Sequence, residues 1–319
     1  MNLLFITSTR IGDAVLSTGL LDHLLRVHPG ARVTVACGPH AAPLFAAVPN
    51  LERVLPMHKG RWARHWFALW RACAGTRWDM IVDLRRSAIG YFLRAGRRFV
   101  LQASQEPVHR VRQIADVLDL AEPPAPHVWT SDAHRADARR LIPDGPPVLG
   151  IGPTTNWRAK TWRADRFVAL IDRLTAPRGL LPGARVAVFG GADERDQARP
   201  VLDAIPAERR IDLVGSVDLL TAHACLERCR FYVGNDSALM HLAAAAGVPT
   251  LGLFGPTQEA LYGPWSHDAA VVRTSIPFTD IFPVDFDHRA SESLMDSLTV
   301  DMAFDAAARL WCDTRRDAA

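Results

Sequence analysis

The chain has 319 residues with a formal net charge of only +3, and 49% of its residues are hydrophobic. Those values are typical of a globular protein of about two domains, which can bury a large core without disulfides. No apolar run reaches the ~18–20 residues of a membrane span, and the first residues lack the basic stretch of a signal peptide, so we expect a cytoplasmic protein.

The first half of the chain reads as strands that alternate with helices. The apolar run at residues 3–7 predicts a strand, and the apolar spacing within residues 14–27 predicts a helix. Further strands are predicted at residues 32–36, 53–55, 80–84 and, weakly, 100–101, with helices at 41–47 and 62–74. Alternation of this kind builds a parallel, doubly wound sheet.

The alternation restarts after a stretch rich in proline. Residues 143–147 read Pro-Asp-Gly-Pro-Pro and are the candidate linker between domains at 1–145 and 146–319. In the second half, strands are predicted at 148–151, 185–189, 231–233 and 250–254, and helices at 164–174, 219–228 and 238–246. Two such domains leave a cleft at the carboxyl ends of their strands, where ligands bind. A C-terminal helix is a candidate to pack back on the first domain.

The charged residues are unevenly distributed along the chain. Residues 1–150 carry 19 basic and 12 acidic side chains, whereas residues 151–319 carry 18 and 22. Between residues 53 and 112 there are 13 basic side chains and 3 acidic ones. A basic surface in one half indicates an acidic partner on that side, although a solvated helix face explains any single arginine.

The five cysteines predict no disulfide framework, because their number is odd. Cys225 and Cys229 lie four residues apart on a predicted helix, where they could face one partner. Without a second pair of ligands a zinc site is disfavoured, and buried free thiols are the better interpretation.

The turn after the first predicted strand contains the first candidate for chemistry. Residues 8–13 read Ser-Thr-Arg-Ile-Gly-Asp, without the Gly-x-Gly-x-x-Gly of a dinucleotide site. Asp13 stands where a strand opens toward the cleft, so its carboxylate could take a proton from a hydroxyl group. It could equally cap the helix that follows, a position that aspartate favours.

A second candidate follows the first strand of the second half. Residues 152–162 read Gly-Pro-Thr-Thr-Asn-Trp-Arg-Ala-Lys-Thr-Trp, and hydroxyl groups beside Lys160 make a plausible phosphate site. Lys160 is one of only two lysines in a chain with 35 arginines. That scarcity favours a need for a compact ammonium group, although a solvated loop lysine remains the alternative.

A third candidate is a strand that runs into a helix. Residues 234–241 read Gly-Asn-Asp-Ser-Ala-Leu-Met-His, and Gly-Val-Pro and Gly-Pro-Thr follow at 247–249 and 255–257. Free N–H groups at such a helix start can bind a pyrophosphate, and Asp236 could accept hydrogen bonds from sugar hydroxyls. The alternative makes Asn235 or Asp236 a helix cap and His241 a core residue.

These three segments, in this order, resemble the heptosyltransferases of glycosyltransferase family 9. The resemblance rests on Gly-Asp at 12–13, Lys-Thr-Trp at 160–162, and Asn-Asp-Ser with His-Leu-Ala-Ala, Gly-Val-Pro and Phe-Gly-Pro-Thr between 235 and 257. Residues 78–85 also look like a strand of that family. Ala238 and Leu239 stand where the family usually has Gly-Pro, and residues 273–294 read differently.

The resemblance implies a GT-B fold, in which two doubly wound, Rossmann-like parallel-sheet domains face each other across a cleft. It implies an inverting transfer of heptose from ADP-heptose to the lipid A core, with the acceptor on the first domain and the donor on the second. The enzyme would work as a monomer at the inner face of the inner membrane. It would use no metal, no cofactor and no nucleic acid.

The resemblance also assigns roles to individual residues. Asp13 would be the general base, and Lys160 would stabilise the leaving diphosphate. The donor-binding residues would be Thr154, Thr155, Lys160, Trp162, Gly215, Asn235, Asp236, Ser237, Ala238, His241, Gly255, Pro256 and Thr257. The acceptor-binding residues would be Thr9, Arg10, Gly12, Arg61, Arg64, Arg85, Arg94, Arg97 and Arg98.

Two other functions stay open at this point. A nucleotide-sugar epimerase on the same fold would turn over its substrate without an acceptor. A non-catalytic protein that binds nucleotide sugar or lipid would bind the donor and turn over nothing.

Overall fold

A computed structural model of the chain describes residues 1–58, 60, 64–103, 107–287 and 292–316. These residues form two compact units, Met1–Ser131 and Asp132–Ala319. Within the described ranges, no helix combines the length and the apolar character that crossing a membrane requires.

The first unit is a parallel sheet of five strands in the order β3-β2-β1-β4-β5. Its strands are β1 (Asn2–Ile6), β2 (Arg32–Cys37), β3 (Leu51–Pro56), β4 (Trp78–Asp83) and β5 (Ala95–Val100). Its helices are α1 (Ile11–Val27), α2 (Arg64–Cys73) and α3 (Arg110–Ala115). The strand order reverses between β1 and β4, which pair through Ile6 and Asp83.

Continuous apolar runs explain the centre of this sheet. Leu3 to Ile6 in β1 are fully buried, as expected for a parallel strand that is covered on both faces. In α1, Leu16, Leu20 and Leu24 recur at four-residue intervals and are buried against the sheet. The predicted strand and helix are both confirmed, with α1 beginning three residues earlier than its apolar pattern.

β5 departs from the sequence-based expectation. A weak strand was predicted at residues 100–101, whereas the strand is Ala95–Val100 and contains Arg97 and Arg98. β5 lies at the edge of the sheet and pairs only with β4. Its side chains are mostly exposed, so the apolar pattern that reveals a central strand is missing.

The second unit is a parallel sheet of six strands in the order β11-β10-β9-β6-β7-β8. Its strands are β6 (Val148–Gly152), β7 (Arg185–Val188), β8 (Arg210–Asp212), β9 (Phe231–Asn235), β10 (Thr250–Phe254) and β11 (Ala269–Arg273). Its helices are α4 (Asp132–Leu141), α5 (Ala164–Thr175), α6 (Arg195–Ala204), α7 (Leu219–Leu226), α8 (Ala238–Ala245), α9 (Glu259–Tyr262) and α10 (Val300–Arg316). The two sheets confirm the predicted class of two doubly wound parallel-sheet domains.

The boundary between the two units falls between residues 131 and 132, whereas the proline-rich stretch predicts it between residues 145 and 146. The difference is α4, which precedes the prolines in sequence but packs against α7 of the second unit. The predicted C-terminal helix is α10, and it packs against α5, β10 and β11.

The cysteines are free thiols. Cys225 and Cys229 are both buried, which confirms the interpretation of this pair as ordinary core residues. Burial raises the pKa of the Cys225 thiol to about 12.

Candidate active site

The candidate donor residues follow the carboxyl ends of neighbouring strands in the second sheet. The loop that carries Lys160 follows β6, and Asp236 follows β9, the strand beside it. The strand order reverses between these two strands, and in open α/β sheets the crevice for a ligand lies at that point. The segments that contain Lys160 and Asp236 therefore lie at the position where a fold of this kind binds its ligand.

Lys160 and Asp236 meet directly. The Lys160 Nζ atom lies 3.4 Å from Asp236 Oδ2, and the two side chains are only 14% and 9% exposed. Lys160 ends a short 3-10 helix, Arg158–Lys160, which fixes the backbone from which its side chain extends. The solvated loop lysine considered from the sequence is therefore wrong, because this ammonium group is mostly buried and paired.

The hydroxyl groups before Lys160 are engaged within the protein. Thr154 Oγ1 donates a 2.7 Å hydrogen bond to Glu194 Oε2, and Thr155 Oγ1 donates one of 2.7 Å to the Trp157 carbonyl. Both threonines are buried. Gln197 accepts a 3.0 Å hydrogen bond from the Thr155 backbone N–H. These contacts hold the loop in shape, and direct phosphate binding by the two hydroxyls stays a prediction.

Asn235 and Trp162 anchor the Lys160 loop to the buried core. The Asn235 side chain is fully buried, and it accepts a 2.9 Å hydrogen bond from the Trp162 backbone N–H while it donates one of 2.8 Å to the Pro153 carbonyl. Trp162 is 1% exposed, and its Nε1 donates to the Leu298 carbonyl at 2.8 Å. Both side chains join the loop to the core. Direct contacts with a ligand are then left to the neighbouring residues of the loop.

The start of α8 is arranged differently from the capping alternatives. The N-cap residue is Ser237, so neither Asn235 nor Asp236 caps the helix. The Ser237 side chain makes no capping hydrogen bond. Ser237 Oγ is buried, and it has no hydrogen-bond partner among the described residues. The first N–H groups of a helix lack partners within the helix, and they favour an anion. Ala238 begins this helix, and His241 is buried within its first turn.

The remaining donor candidates follow β8 and β10. Gly215 has a φ of +67°, and a Cβ atom there would lie 2.6 Å from Ala192 Cα, so only glycine fits. Gly255 approaches Met295 closely, and a Cβ atom would lie 2.5 Å from its sulfur. Pro256 is buried, and Thr257 Oγ1 is a buried hydroxyl without a partner in the described part of the chain.

Asp13 lies in the first turn of α1, at the carboxyl edge of the first sheet and beside its own reversal of strand order. The side chain is half-buried, and its Oδ2 accepts a 3.4 Å hydrogen bond from Ser8 Oγ. Arg10 occupies the N-cap position and makes no side-chain capping bond. The cap that the sequence left open for Asp13 is therefore not formed, and its role as a base stays a prediction.

The turn that carries Asp13 packs against the end of β2. The Gly38 N–H donates a 3.1 Å hydrogen bond to the Ser8 carbonyl. A Cβ atom on Gly38 would lie 2.5 Å from Thr9 Cα and 2.7 Å from the Thr9 carbonyl oxygen. Sequence reasoning missed Gly38, because no local pattern connects it with a turn about thirty residues earlier.

A buried carboxylate stands at the end of the neighbouring strand β4. Asp83 is fully buried and accepts hydrogen bonds from the Arg85 N–H at 2.8 Å, the Ser87 N–H at 2.8 Å and Ser87 Oγ at 2.5 Å. Burial raises the pKa of the Asp83 carboxyl, while these donors act in the opposite direction. Asp83 thereby fixes the turn that presents Arg85.

The comparisons with known proteins decide the family. The sequence model of glycosyltransferase family 9 (heptosyltransferase) matches residues 68–280, which is more than half of the chain. The chain belongs to glycosyltransferase family 9.

Relatives and solved structures agree with that assignment. A lipooligosaccharide heptosyltransferase 2 of Haemophilus influenzae is 26% identical over 311 residues, which cover 86% of this chain and 88% of that protein. A family 9 glycosyl transferase structure from Veillonella parvula has a TM-score of 0.78 at 18% identity, covering 98% of this chain and 97% of that one. The structure of E. coli ADP-heptose lipopolysaccharide heptosyltransferase II has a TM-score of 0.74 at 23% identity, covering 99% and 100%.

This family 9 chain is a glycosyltransferase, as predicted from the three motifs, and its GT-B fold class is confirmed. The assignment favours a transferase over the epimerase and the non-catalytic binding protein that the sequence left open. The first motif lies outside the residues that the family model matches, so the role predicted for Asp13 is supported only by its place in the fold.

Among the described residues, the arginines predicted to bind the acceptor are spread over different parts of the first unit of this family 9 chain. Arg85 follows β4 and stacks over Trp66, with its Cζ atom 5.7 Å from the ring centroid. Arg94 precedes β5, so six residues, or about 20 Å, separate it from the carboxyl end of that strand. Arg97 and Arg98 are adjacent in β5 and point to opposite faces of the sheet.

The other candidates for acceptor binding lie in different environments. The Arg98 side chain donates hydrogen bonds of 2.8 Å to the Gly90 and Leu93 carbonyls, so it braces the chain between β4 and β5. Arg64 is exposed at the start of α2. Arg61 lies outside the described residues. The loop residues Thr9 and Arg10 are exposed, and Gly12 is half-buried beside Asp13.

The described part of the chain contains no group of three His, Cys, Asp or Glu side chains that could hold a metal ion. The sequence does contain one Asp-x-Asp, formed by Asp285, Phe286 and Asp287. Both aspartates are exposed, and Phe286 packs edge-on against Trp157 with ring centroids 6.1 Å apart. Carboxylates at this spacing can bind a divalent cation. Metal independence therefore stays a prediction.

Proposed function

We propose that this glycosyltransferase moves heptose from ADP-heptose to the inner core of lipopolysaccharide, with inversion at the anomeric carbon. The family assignment and the names of the relatives support the sugar and the acceptor. The mostly buried Lys160 ammonium, held by Asp236 beside the start of α8, is the observation that carries the proposal, because the ammonium and the helix N–H groups together suit a diphosphate.

The donor residues act on the leaving group. As the bond between the anomeric carbon and the diphosphate oxygen breaks, negative charge develops on the departing ADP. The Lys160 ammonium and the first N–H groups of α8 stabilise that charge most strongly in the transition state. Ser237 Oγ and Thr257 Oγ1 have no partner among the described residues, which supports a polar ligand beside them.

Asp13 acts on the acceptor. The acceptor hydroxyl oxygen forms the new bond to the anomeric carbon, and its proton passes to the Asp13 carboxylate. The half-buried position of Asp13 at the carboxyl edge of its sheet supports this role, because one oxygen contacts Ser8 and the carboxylate keeps further room to accept a proton. Arg85, Thr9 and Arg10 lie at the same edge and provide donors for an acidic acceptor.

Direct transfer tests the reaction. The purified protein is incubated with ADP-heptose and a lipid A core that lacks the heptose, and mass spectrometry follows both products. We expect the core to gain one heptose per ADP released. Donor turnover without an acceptor would support the epimerase instead, and donor binding without any turnover would support a non-catalytic protein.

We also propose that the protein acts at the inner face of the inner membrane, as a monomer and without a metal. A basic-aromatic face of the first unit supports the membrane contact. Phe67, Tyr91 and Phe92 are 66%, 68% and 72% exposed, which is unusual for large apolar side chains.

These aromatic residues form one surface. The Phe67 and Trp70 rings stack with centroids 5.7 Å apart, and Trp70 Nε1 donates a 3.1 Å hydrogen bond to the Phe92 carbonyl. Arg64 and Arg71 lie three and four residues from Phe67, on the same exposed side of α2. Apolar rings among basic groups match the boundary of a membrane with anionic lipids.

Cosedimentation with vesicles tests this surface. Phe67→Ser with Phe92→Ser should weaken binding to anionic vesicles severalfold, and Arg64→Glu with Arg71→Glu should weaken it most at low salt. Val284→Ser is the control, since Val284 is fully exposed in the second unit. Unchanged vesicle binding by both pairs would contradict the membrane contact.

A further inference from the structure

A segment near the C-terminus contacts the loop that carries Lys160. The Leu294 N–H donates a 2.8 Å hydrogen bond to the Ala159 carbonyl. Ser293 Oγ donates one of 2.7 Å to the Thr161 carbonyl. The carbonyl groups on both sides of Lys160 are thus held by two consecutive residues of a distant segment. We call residues 293–298 the bracket.

The bracket itself is fixed to the core. Met295 and Leu298 are fully buried. The Leu298 carbonyl accepts a 2.8 Å hydrogen bond from Trp162 Nε1 and one of 2.6 Å from Arg166 Nη1. Ser293 Oγ also accepts a 3.1 Å hydrogen bond from the Met295 N–H. The bracket therefore connects the buried core directly to the loop.

The peptide group between Thr161 and Trp162 is held at both of its polar atoms. Asn235 accepts a 2.9 Å hydrogen bond from the Trp162 N–H, and Ser293 donates to the Thr161 carbonyl. Thr155 and Gln197 hydrogen-bond to Thr161 Oγ1, at 2.9 and 3.0 Å, and so hold the side chain. Without the Ser293 hydroxyl this peptide group would be held through its N–H alone. The lysine stem has four flexible carbons, so a displaced backbone would let the ammonium leave its place at 3.4 Å from Asp236.

We propose that Ser293 is a positioning residue, whose hydroxyl group holds the Thr161 carbonyl and thereby aims the Lys160 ammonium at the donor diphosphate. The inference rests on the proposed role of Lys160. Serine suits this place because its single proton goes to Thr161 while a lone pair accepts from Met295.

Calorimetry with ADP and steady-state kinetics with ADP-heptose test the proposal in a double-mutant cycle. Ser293→Ala should lower ADP affinity and donor kcat/KM about fivefold to tenfold, the size of one lost hydrogen bond. In the Lys160→Ala background the same substitution should lower ADP affinity no further, because its effect passes through Lys160. Ser293→Thr keeps the hydroxyl and should restore most of the affinity.

Ser297→Ala is the matched control. Ser297 lies in the same bracket, but its Oγ accepts from the Ile276 N–H at 3.3 Å and does not touch the loop. It should leave ADP affinity unchanged. If Ser293→Ala fails to fold, Ser293→Cys keeps the volume with a poor donor and takes its place.

The outcomes separate the two proposals. An equal loss of ADP affinity from Ser293→Ala in both backgrounds would overturn the positioning role and leave Lys160 intact. Wild-type affinity in Ser293→Ala, with a strong loss in Lys160→Ala, would do the same. Wild-type affinity in Lys160→Ala would overturn the role of Lys160 and the bracket together.

Discussion

The two sheets reverse their strand order in the same way, yet the side chains gathered at these two places differ. At the second sheet, Lys160 is paired with Asp236, and its loop is held by Thr155, Asn235 and Ser293. At the first sheet, the Asp13 side chain has one long hydrogen bond, to Ser8. Contacts within the protein thus hold the Lys160 site in place, whereas few contacts hold the Asp13 side chain. We call the first the preorganised region and the second the sparse region.

This difference fits the two substrates that a glycosyltransferase must handle. A nucleotide diphosphate is small and highly charged, and a preorganised cationic position loses little energy when it binds. A general base must accept a proton during the reaction, and a carboxylate already saturated with hydrogen bonds would accept it poorly. Asp83 differs from Asp13 in accessibility, because it is fully buried and its oxygens are occupied by the backbone N–H groups of Arg85 and Ser87 and by the Ser87 hydroxyl, so no acceptor hydroxyl can reach it.

The largest effect is expected at the sparse region. Asp13→Asn should lower kcat about 10³-fold, within the range of general bases, since the amide cannot take the proton. ADP affinity should stay within a few-fold of wild type, because Asp13 belongs to the other unit from the donor residues. Turnover is measured with saturating donor and acceptor, and Asp83→Asn serves as a comparison for a purely structural carboxylate. Wild-type turnover in Asp13→Asn would show that Asp13 is not the general base.

A smaller but broader effect is expected at the preorganised region. Lys160→Ala should lower kcat/KM for the donor about 10²-fold and weaken ADP binding, because the ammonium acts in both ground and transition states. Lys160→Arg should recover only part of this loss, since a planar guanidinium does not replace a compact charge beside Asp236. Unchanged ADP affinity by calorimetry in Lys160→Ala would show that the diphosphate binds elsewhere.

The sequence predicted the regular parts of the fold well, because their patterns are local. β10 agrees with its prediction at both ends, and α5 differs by one residue. The misplaced β5 and the missed α6 have physical causes. β5 is an exposed edge strand with two arginines, and α6 contains Pro200, which normally ends a helix.

The candidate site was predictable as a set of segments but not as a set of contacts. The Asn235–Trp162 hydrogen bond joins residues 73 apart, and the Ser293–Thr161 bond joins residues 132 apart. No periodicity connects such pairs, so the sequence could not distinguish a buried brace such as Asn235 from a ligand contact. Gln197 lies in α6 and Glu194 directly before it, and both were missed because that helix was not predicted.

Gly38 provides a way to sharpen the comparison without touching a charged group. Gly38→Ala would place a methyl group 2.5 Å from Thr9 Cα and should displace the turn before Asp13. We expect a loss of about 1–3 kcal/mol in the free energy of unfolding and about a tenfold loss in kcat. Gly75→Ala is the control, because nothing lies within 4 Å of its added Cβ atom. Wild-type kcat in a folded Gly38→Ala protein would show that the turn tolerates displacement.

The smallest expected effect is that of metal removal. In the proposed mechanism the Lys160 ammonium and the start of α8 supply the positive charge that a divalent cation would otherwise bring to the diphosphate. We therefore expect transfer to continue at its full rate in excess EDTA. Asp285→Ala with Asp287→Ala should have no effect on the rate with or without added Mg²⁺, because this exposed carboxylate pair would then hold no required ion. A loss in EDTA that Mg²⁺ or Mn²⁺ restores would contradict this, and a matching loss in the double variant would locate the ion at Asp285 and Asp287. In that case the second region would be preorganised for a metal complex of the donor, and Lys160 would share its task with the ion.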